Sequence, residues 1–193
     1  MAISINNIIT NGLSGKLGQF IFRRWYGKTV MVTKAAVYNR GSAAQLQNQN
    51  LFRQAHFYAK RVLSNPSLLQ FYTDRVQGAQ RAYNLAVSDY LSAPVIHQVN
   101  TDNYIGKAVS SITCQVTDNF KVAEVEVVIK KDGGLVEWGH AFGEADGIHW
   151  TYTATKEINP VDVVVIEVQA KDISGRMSSL SYMHNFARSW KNA

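Results

Sequence analysis

The sequence predicts an α+β chain in which a β-hairpin and a helical segment precede an all-β sandwich. Near Pro94 the hydrophobic spacing changes from helical to alternating, as a helix stripe gives way to two-faced strands. Turn residues then recur at the short intervals of a sandwich. The charge divides at the same place. Residues 1–94 hold eleven Lys or Arg against Asp74 and Asp89, a net of +9; residues 95–193 hold nine against twelve acids, a net of −3; together these give +6. Two modules are expected, 1–94 and 95–193.

The hairpin lies between Gly18 and Ala35. Residues 19–25 are aromatic and β-rich, and residues 28–34 are β-branched. Tyr26-Gly27 between them has the length and the glycine of a two-residue turn. Phe20, Phe22, Trp25, Tyr26, Val30 and Val32 leave the hairpin apolar on much of both faces. An isolated hairpin is marginal in water, so this one needs a cover, either the helices or a second copy of the chain.

Arg40-Gly-Ser42 leads into the first helix, where Ser42 and Gln45 have the spacing of a capping box. Leu46, Leu51, Phe52, Ala55, Ala59, Val62 and Leu63 form its apolar stripe, opposite Gln47, Gln49, Arg53, Lys60 and Arg61. Asn65-Pro66 stops that helix and caps a second over about 66–76; a third over about 79–91 ends before Pro94.

Strands are expected at 110–117, 123–130, 134–141, 147–155 and 161–171, with a weaker one near 178–185. Asp118-Asn119, Lys131-Asp-Gly-Gly134, Glu144-Ala-Asp-Gly147, Asn159-Pro160 and Asp172-Ile-Ser-Gly175 are the turns between them. That pattern predicts an immunoglobulin-like or fibronectin-like β-sandwich for the second module, without the Cys…Trp…Cys signature of an antibody domain.

Hydrophobic residues are 46% and charged residues 18% of the chain, the balance of a globular protein. No apolar run reaches the roughly 18 residues of a membrane span. The opening residues lack the basic and long apolar regions of a secretory signal, so the expectation is cytoplasmic residence, or carriage in a virion or other particle. Cys114 stands alone in an alternating run and reads as a core thiol.

Motifs for chemistry are weak. Tyr26-Gly-Lys-Thr29 resembles the tail of a phosphate loop, but Phe22 stands where that loop needs glycine and Lys28 opens a strand. His56, His97, His140, His149 and His184 lack ligand spacing, although His140 and His149 could face each other across a strand pair. Asp118, Asp132, Asp146 and Asp172 sit at strand ends, where carboxylates collect calcium or, as expected here, bond their own turns. Trp138 and Trp150 could serve as platforms for carbohydrate, but alternate with small or polar neighbours as core residues do. Neither a catalytic set nor a metal, cofactor or small-molecule substrate is expected.

The basic residues are the strongest functional signal. Lys16, Arg23, Arg24, Lys28, Lys34 and Arg40 lie on or beside the hairpin, and Arg53, Lys60 and Arg61 on the first helix, with Trp25, Tyr26 and Tyr38 among them. Charge interleaved with flat rings suits single-stranded nucleic acid, and a two-stranded basic ribbon fits a major groove. The leading expectation is a non-enzymatic structural or assembly protein, homo-oligomeric or part of a larger assembly such as a phage particle. Its sandwich would serve display or partner contact. The alternative is nucleic-acid or other anionic-partner contact through the basic set.

Residues 11–30, with Gly15-Lys-Leu-Gly18, the aromatic and basic run to Trp25 and Gly27-Lys-Thr-Val30, resemble a family of uncharacterised proteins from Bacteroidetes and their mobile elements. The Gln-rich helix entry at 44–49, the Phe52…Ala55…Tyr58-Ala-Lys60 stripe and Ala82-Tyr-Asn-Leu-Ala86 before Asp89-Tyr-Leu91 are similar to it as well. The resemblance covers about 11–96 and implies the two-module organisation without catalytic residues.

Overall fold

The protein is described by a computed structural model over residues 2–4, 10, 12–34, 41–158 and 163–186. Internal packing groups the chain into residues 1–50 with 76–80, and 51–75 with 81–193. That grouping does not coincide with the expected division at Pro94: the helices beyond Leu51 share their packing with the sandwich.

In the first unit β1 (Ala2–Ser4), β2 (Gly15–Leu17), β3 (Phe20–Trp25) and β4 (Lys28–Thr33) form one antiparallel sheet in the order β1-β4-β3-β2. Trp25 pairs with Lys28 across Tyr26 and Gly27, whose φ values of 49° and 75° are both left-handed. That is the conformation a tight hairpin turn requires, and it is why glycine follows the tyrosine. The two short outer strands extend the expected hairpin to a four-stranded sheet. Three residues each are too few for a period to show in the sequence.

The capping box forms as expected: the Ser42 amide donates to Gln45 Oε1 at 2.9 Å, and the Gln45 amide to Ser42 Oγ at 3.3 Å. It opens α1 (Ala43–Ser64), which is followed by α2 (Pro66–Thr73) and α3 (Ala82–Leu91). Asn65 caps α2, its Oδ1 accepting from the amides of Ser67 and Leu68. The buried side of α1 is Ala55, Tyr58, Ala59 and Val62; Leu46, Phe52 and Leu63, expected in that stripe, are exposed. Tyr58, Ala59, Val62, Tyr72 and Ala86 make one apolar cluster, and Phe120 and Ile173 from the sandwich pack against it.

The sandwich consists of two antiparallel sheets. One has the order β5 (Val95–Asn100), β6 (Ser111–Thr117), β10 (His149–Thr153), β9 (Phe142–Gly143). The other has the order β12 (Met177–Asn185), β11 (Val163–Asp172), β7 (Val122–Lys131), β8 (Gly134–His140). Ile112, Cys114 and Val116 of β6 share a core with Val125, Val127 and Ile129 of β7 and Val164, Ile166 and Val168 of β11. Each Val or Ile buried this way contributes about 1.5–3 kcal/mol, so the alternation itself holds the sheets together. Cys114 lies in that core, with its thiol pushed up to about 12 by burial. Strand β5 has no counterpart among the expected strands. A register shift between Ile96 and Gln98 puts its two core-packed residues, Ile96 and Val99, three apart instead of two. Buried Glu137 ties β8 to the chain leaving β10, accepting from the Tyr152 hydroxyl and from the amides of Thr155 and Lys156.

Candidate functional site

Strand geometry divides the predicted hairpin site between two faces. Alternate residues of a strand, and directly paired residues of neighbouring strands, share a face. The pairs Lys16–Ile21–Val32, Arg23–Val30 and Trp25–Lys28 therefore put Lys16, Arg23, Lys28 and Trp25 on one side. Leu17–Phe20–Thr33, Phe22–Met31 and Arg24–Thr29 occupy the other. The first side carries Lys16, Arg23, Lys28 and Trp25 beside the aliphatic Ile21, Val30 and Val32, and the Arg23 guanidinium lies 5.6 Å from the centre of the Trp25 ring. The second is mainly apolar, with Arg24 its one basic residue among these pairs. Trp25 is 46%, Tyr26 66% and Leu17 68% exposed, whereas Val30 is buried and Phe22 and Val32 are half-buried. The assembly residues thus split as well: Phe20, Trp25 and Tyr26 present surface, Val30 does not.

Lys34 is exposed just beyond β4, where its amide donates to the Gln19 carbonyl. Arg40 and Tyr38 lie outside the described residues. Arg53 and Lys60 are exposed on α1, and Arg61 sets its guanidinium 5.2 Å from the Tyr58 ring centre. These belong to the second unit, not to the hairpin's.

The strand-end carboxylates do bond their turns. Asp118 Oδ1 accepts from the amides of Phe120 and Lys121, Asp146 Oδ1 from those of Ile148 and His149, and Asp172 Oδ1 from Ser174 Oγ and the Arg176 amide. Asp132 takes a left-handed φ of 50° in the turn that joins β7 to β8. Two of these residues do more. Asp118 and Asp172 meet Asp89 of α3, with one oxygen of each carboxylate within 4.8 Å of the others. In the sequence Asp89 reads only as part of a helix ending. It follows Ala86 by three residues, hence on the same buried side, and a carboxylate on an apolar stripe is the available signal. Its side chain accepts from the Tyr72 hydroxyl, which in turn bonds Tyr58 at 2.8 Å. Burial lifts the Asp89 carboxyl to about 7, against the lowering effect of the Tyr72 bond.

The histidines do not form a common site. His140 and His149 sit in different sheets rather than on paired strands. His140 contacts Glu124 at 3.0 Å and Glu126 at 3.6 Å, and His149 bonds Asp146. Trp138 is exposed on β8 beside His140, contrary to the expectation of a core residue, whereas Trp150 packs against the core.

No protein-family model matches the chain, and no curated protein matches it. Among solved structures it is similar to CopC from Methylosinus trichosporium OB3b, at 18% identity over 47% of this chain and 89% of that one, with a TM-score of 0.36. It is also similar to the bacterial S-layer protein SbsC, at 15% identity over 74% of this chain and 23% of that one, with a TM-score of 0.35. The chain therefore spans less than a quarter of that S-layer structure. Likenesses of this size assign neither a partner nor an activity.

The Asp146–His149 pair is exposed and open to direct measurement. The hydrogen bond from His149 draws Asp146 down to about 2, and the same bond raises the imidazole above its ordinary value. The charged pair is present below the raised imidazole value and lost as pH rises through it. Titration of His149 followed by NMR should show an elevated midpoint that falls in Asp146→Asn; an unchanged midpoint would show that the pair does not form in solution.

Proposed function

We propose that this chain is a non-enzymatic structural or assembly protein. Its N-terminal sheet would make the self-association or anchoring contact, and its sandwich would be displayed or meet a partner. The supporting observation is the sheet of β1–β4, whose large side chains Ile3, Leu17, Phe20, Trp25 and Tyr26 are exposed on one chain. Leu17 and Phe20, paired directly across β2 and β3, group exposed apolar surface on one face, and such a group marks an interaction site more often than scattered exposed residues do. The opposite net charges of residues 1–94 and 95–193 favour contact between neighbouring copies. The sandwich is read as immunoglobulin-like because β5-β6-β10-β9 and β12-β11-β7-β8 follow that fold's strand order, with one added edge strand. The family resemblance of residues 11–96 and a particle of cytoplasmic origin, such as a virion, belong to the same proposal.

Size-exclusion chromatography with light scattering on the full chain tests it. Wild type should self-associate, and Leu17→Ser with Phe20→Ser should weaken association by roughly tenfold or more, as loss of central apolar contacts does. A wild-type monomer at high concentration and low salt would overturn the reading.

The clustering of Lys16, Arg23 and Lys28 with Trp25 on one face favours a second reading, contact with single-stranded nucleic acid. Each phosphate contact releases condensed counterions and adds about 0.7 to the salt slope of binding, so Arg23→Ala with Lys28→Ala should lower the slope by roughly 1.4. Arg24→Ala, on the opposite face, should leave it unchanged. Fluorescence anisotropy with a labelled oligonucleotide across a salt series reads both, and equal slopes in wild type and the double variant would count against this site.

A further inference from the structure

Asp89 is fully buried and Asp172 is 2% exposed, yet neither has an ion-pair partner among the described residues. Each carboxylate of the Asp89, Asp118 and Asp172 group uses one oxygen structurally: Asp89 Oδ2 for Tyr72, Asp118 Oδ1 for the amides of Phe120 and Lys121, Asp172 Oδ1 for Ser174 and the Arg176 amide. The second oxygens, Asp89 Oδ1, Asp118 Oδ2 and Asp172 Oδ2, are buried with no hydrogen-bond partner among the described residues. Buried polar atoms are rarely left so, and three neighbouring carboxylates are costly to ionise unless a cation answers them. Arg176 does not. Its guanidinium lies over the Tyr90 ring, 5.8 Å from the ring centre, and its Nε has no partner among the described residues.

We infer that Asp89, Asp118 and Asp172 bind one calcium-class divalent cation, clamping α3 to the loop after β6 and the turn after β11. The donor set is all oxygen, which selects a hard cation over zinc or copper. One oxygen from each carboxylate lies within 4.8 Å of the others, a span that an ion with Ca–O distances of about 2.4 Å bridges. Magnesium, with shorter bonds near 2.0–2.1 Å and a reluctance to shed water, fits the buried group less well. Two of the ligands are already fixed by their Asx-type turns and the third by Tyr72, so little order is lost on binding. The acidic groups at Glu144, Asp146 and His149 and at Glu124, Glu126 and His140 differ in kind. Their side chains are partly or largely exposed, and each histidine supplies a partner for a carboxylate.

The test uses the full chain, stripped of metal with a chelator and titrated with calcium chloride by calorimetry. Terbium luminescence, sensitised by Tyr72 and the neighbouring tyrosines, gives a second readout. The expected result is one calcium per chain, a rise in Tm on binding and displacement of bound terbium by calcium. Asp118→Asn keeps an Oδ1 acceptor for the turn amides and removes the charge, and it should weaken calcium by about tenfold or more. Asp146→Asn, in another cluster, should bind as wild type does. Absence of both calcium heat and sensitised terbium emission at millimolar metal would overturn the site. So would wild-type affinity in Asp118→Asn, or loss of binding in Asp146→Asn. If Asp118→Asn fails to fold, wild type alone decides through the terbium emission, and absence of tyrosine-sensitised emission rejects the site.

Discussion

The second unit depends on how a buried carboxylate is accommodated. Asp89 sits on the apolar side of α3, where an unsatisfied polar group would cost a few kcal/mol. The Tyr72 hydroxyl from α2 donates to it, and Tyr58 of α1 bonds that hydroxyl in turn, so one hydrogen-bonded chain passes through all three helices. Tyr58 also packs against Tyr90, and Tyr72 against Phe71 and Phe120. The helices therefore cannot shift relative to one another without breaking a polar bond in an apolar setting. That penalty fixes the cluster more sharply than apolar burial alone.

The sandwich loops answer the same cluster twice. Asp118 and Asp172 bring carboxylates to Asp89, and Phe120 and Ile173, two and one residues further on, fill the apolar cluster of the helices. Asp118 and Asp172 bond their own loop backbones, which sets both the carboxylate and the adjacent apolar side chain. A loop of this construction is a docking element, although its sequence reads as an ordinary turn. The N-terminal sheet works differently. Its pairing register gathers Lys16, Arg23 and Lys28 with Trp25 on one face and leaves Leu17 and Phe20 with Arg24 on the other, so a single small sheet offers two different surfaces.

Legibility in the sequence followed the range of the interactions. The hairpin turn at Tyr26-Gly27, the Ser42–Gln45 capping box and the Asn65-Pro66 helix start are set by neighbouring residues, and each is readable from them. The inward alternation of β6, β7 and β11 is readable for the same reason. The bulge in β5 hides a strand by breaking its period. Phe52, Leu46 and Leu63 fit a helical stripe by spacing but are exposed, because the face that α1 buries is decided by distant partners such as Tyr72. The three-carboxylate group joins residues 29 and 54 positions apart, a separation at which no spacing rule operates. The division of the chain is obscured for the same reason: composition changes at Pro94, whereas packing joins the helices to the sandwich.

Packing of this kind predicts that α2 and α3 open together with the sandwich as one cooperative unit. Native-state hydrogen exchange on the full chain, read residue by residue by NMR, measures this directly. The most protected amides of α2 and α3 should open with the same free energy as those in β6, β7 and β11. Helix amides that exchange through a separate opening of much lower free energy, while those strands stay closed, would contradict it.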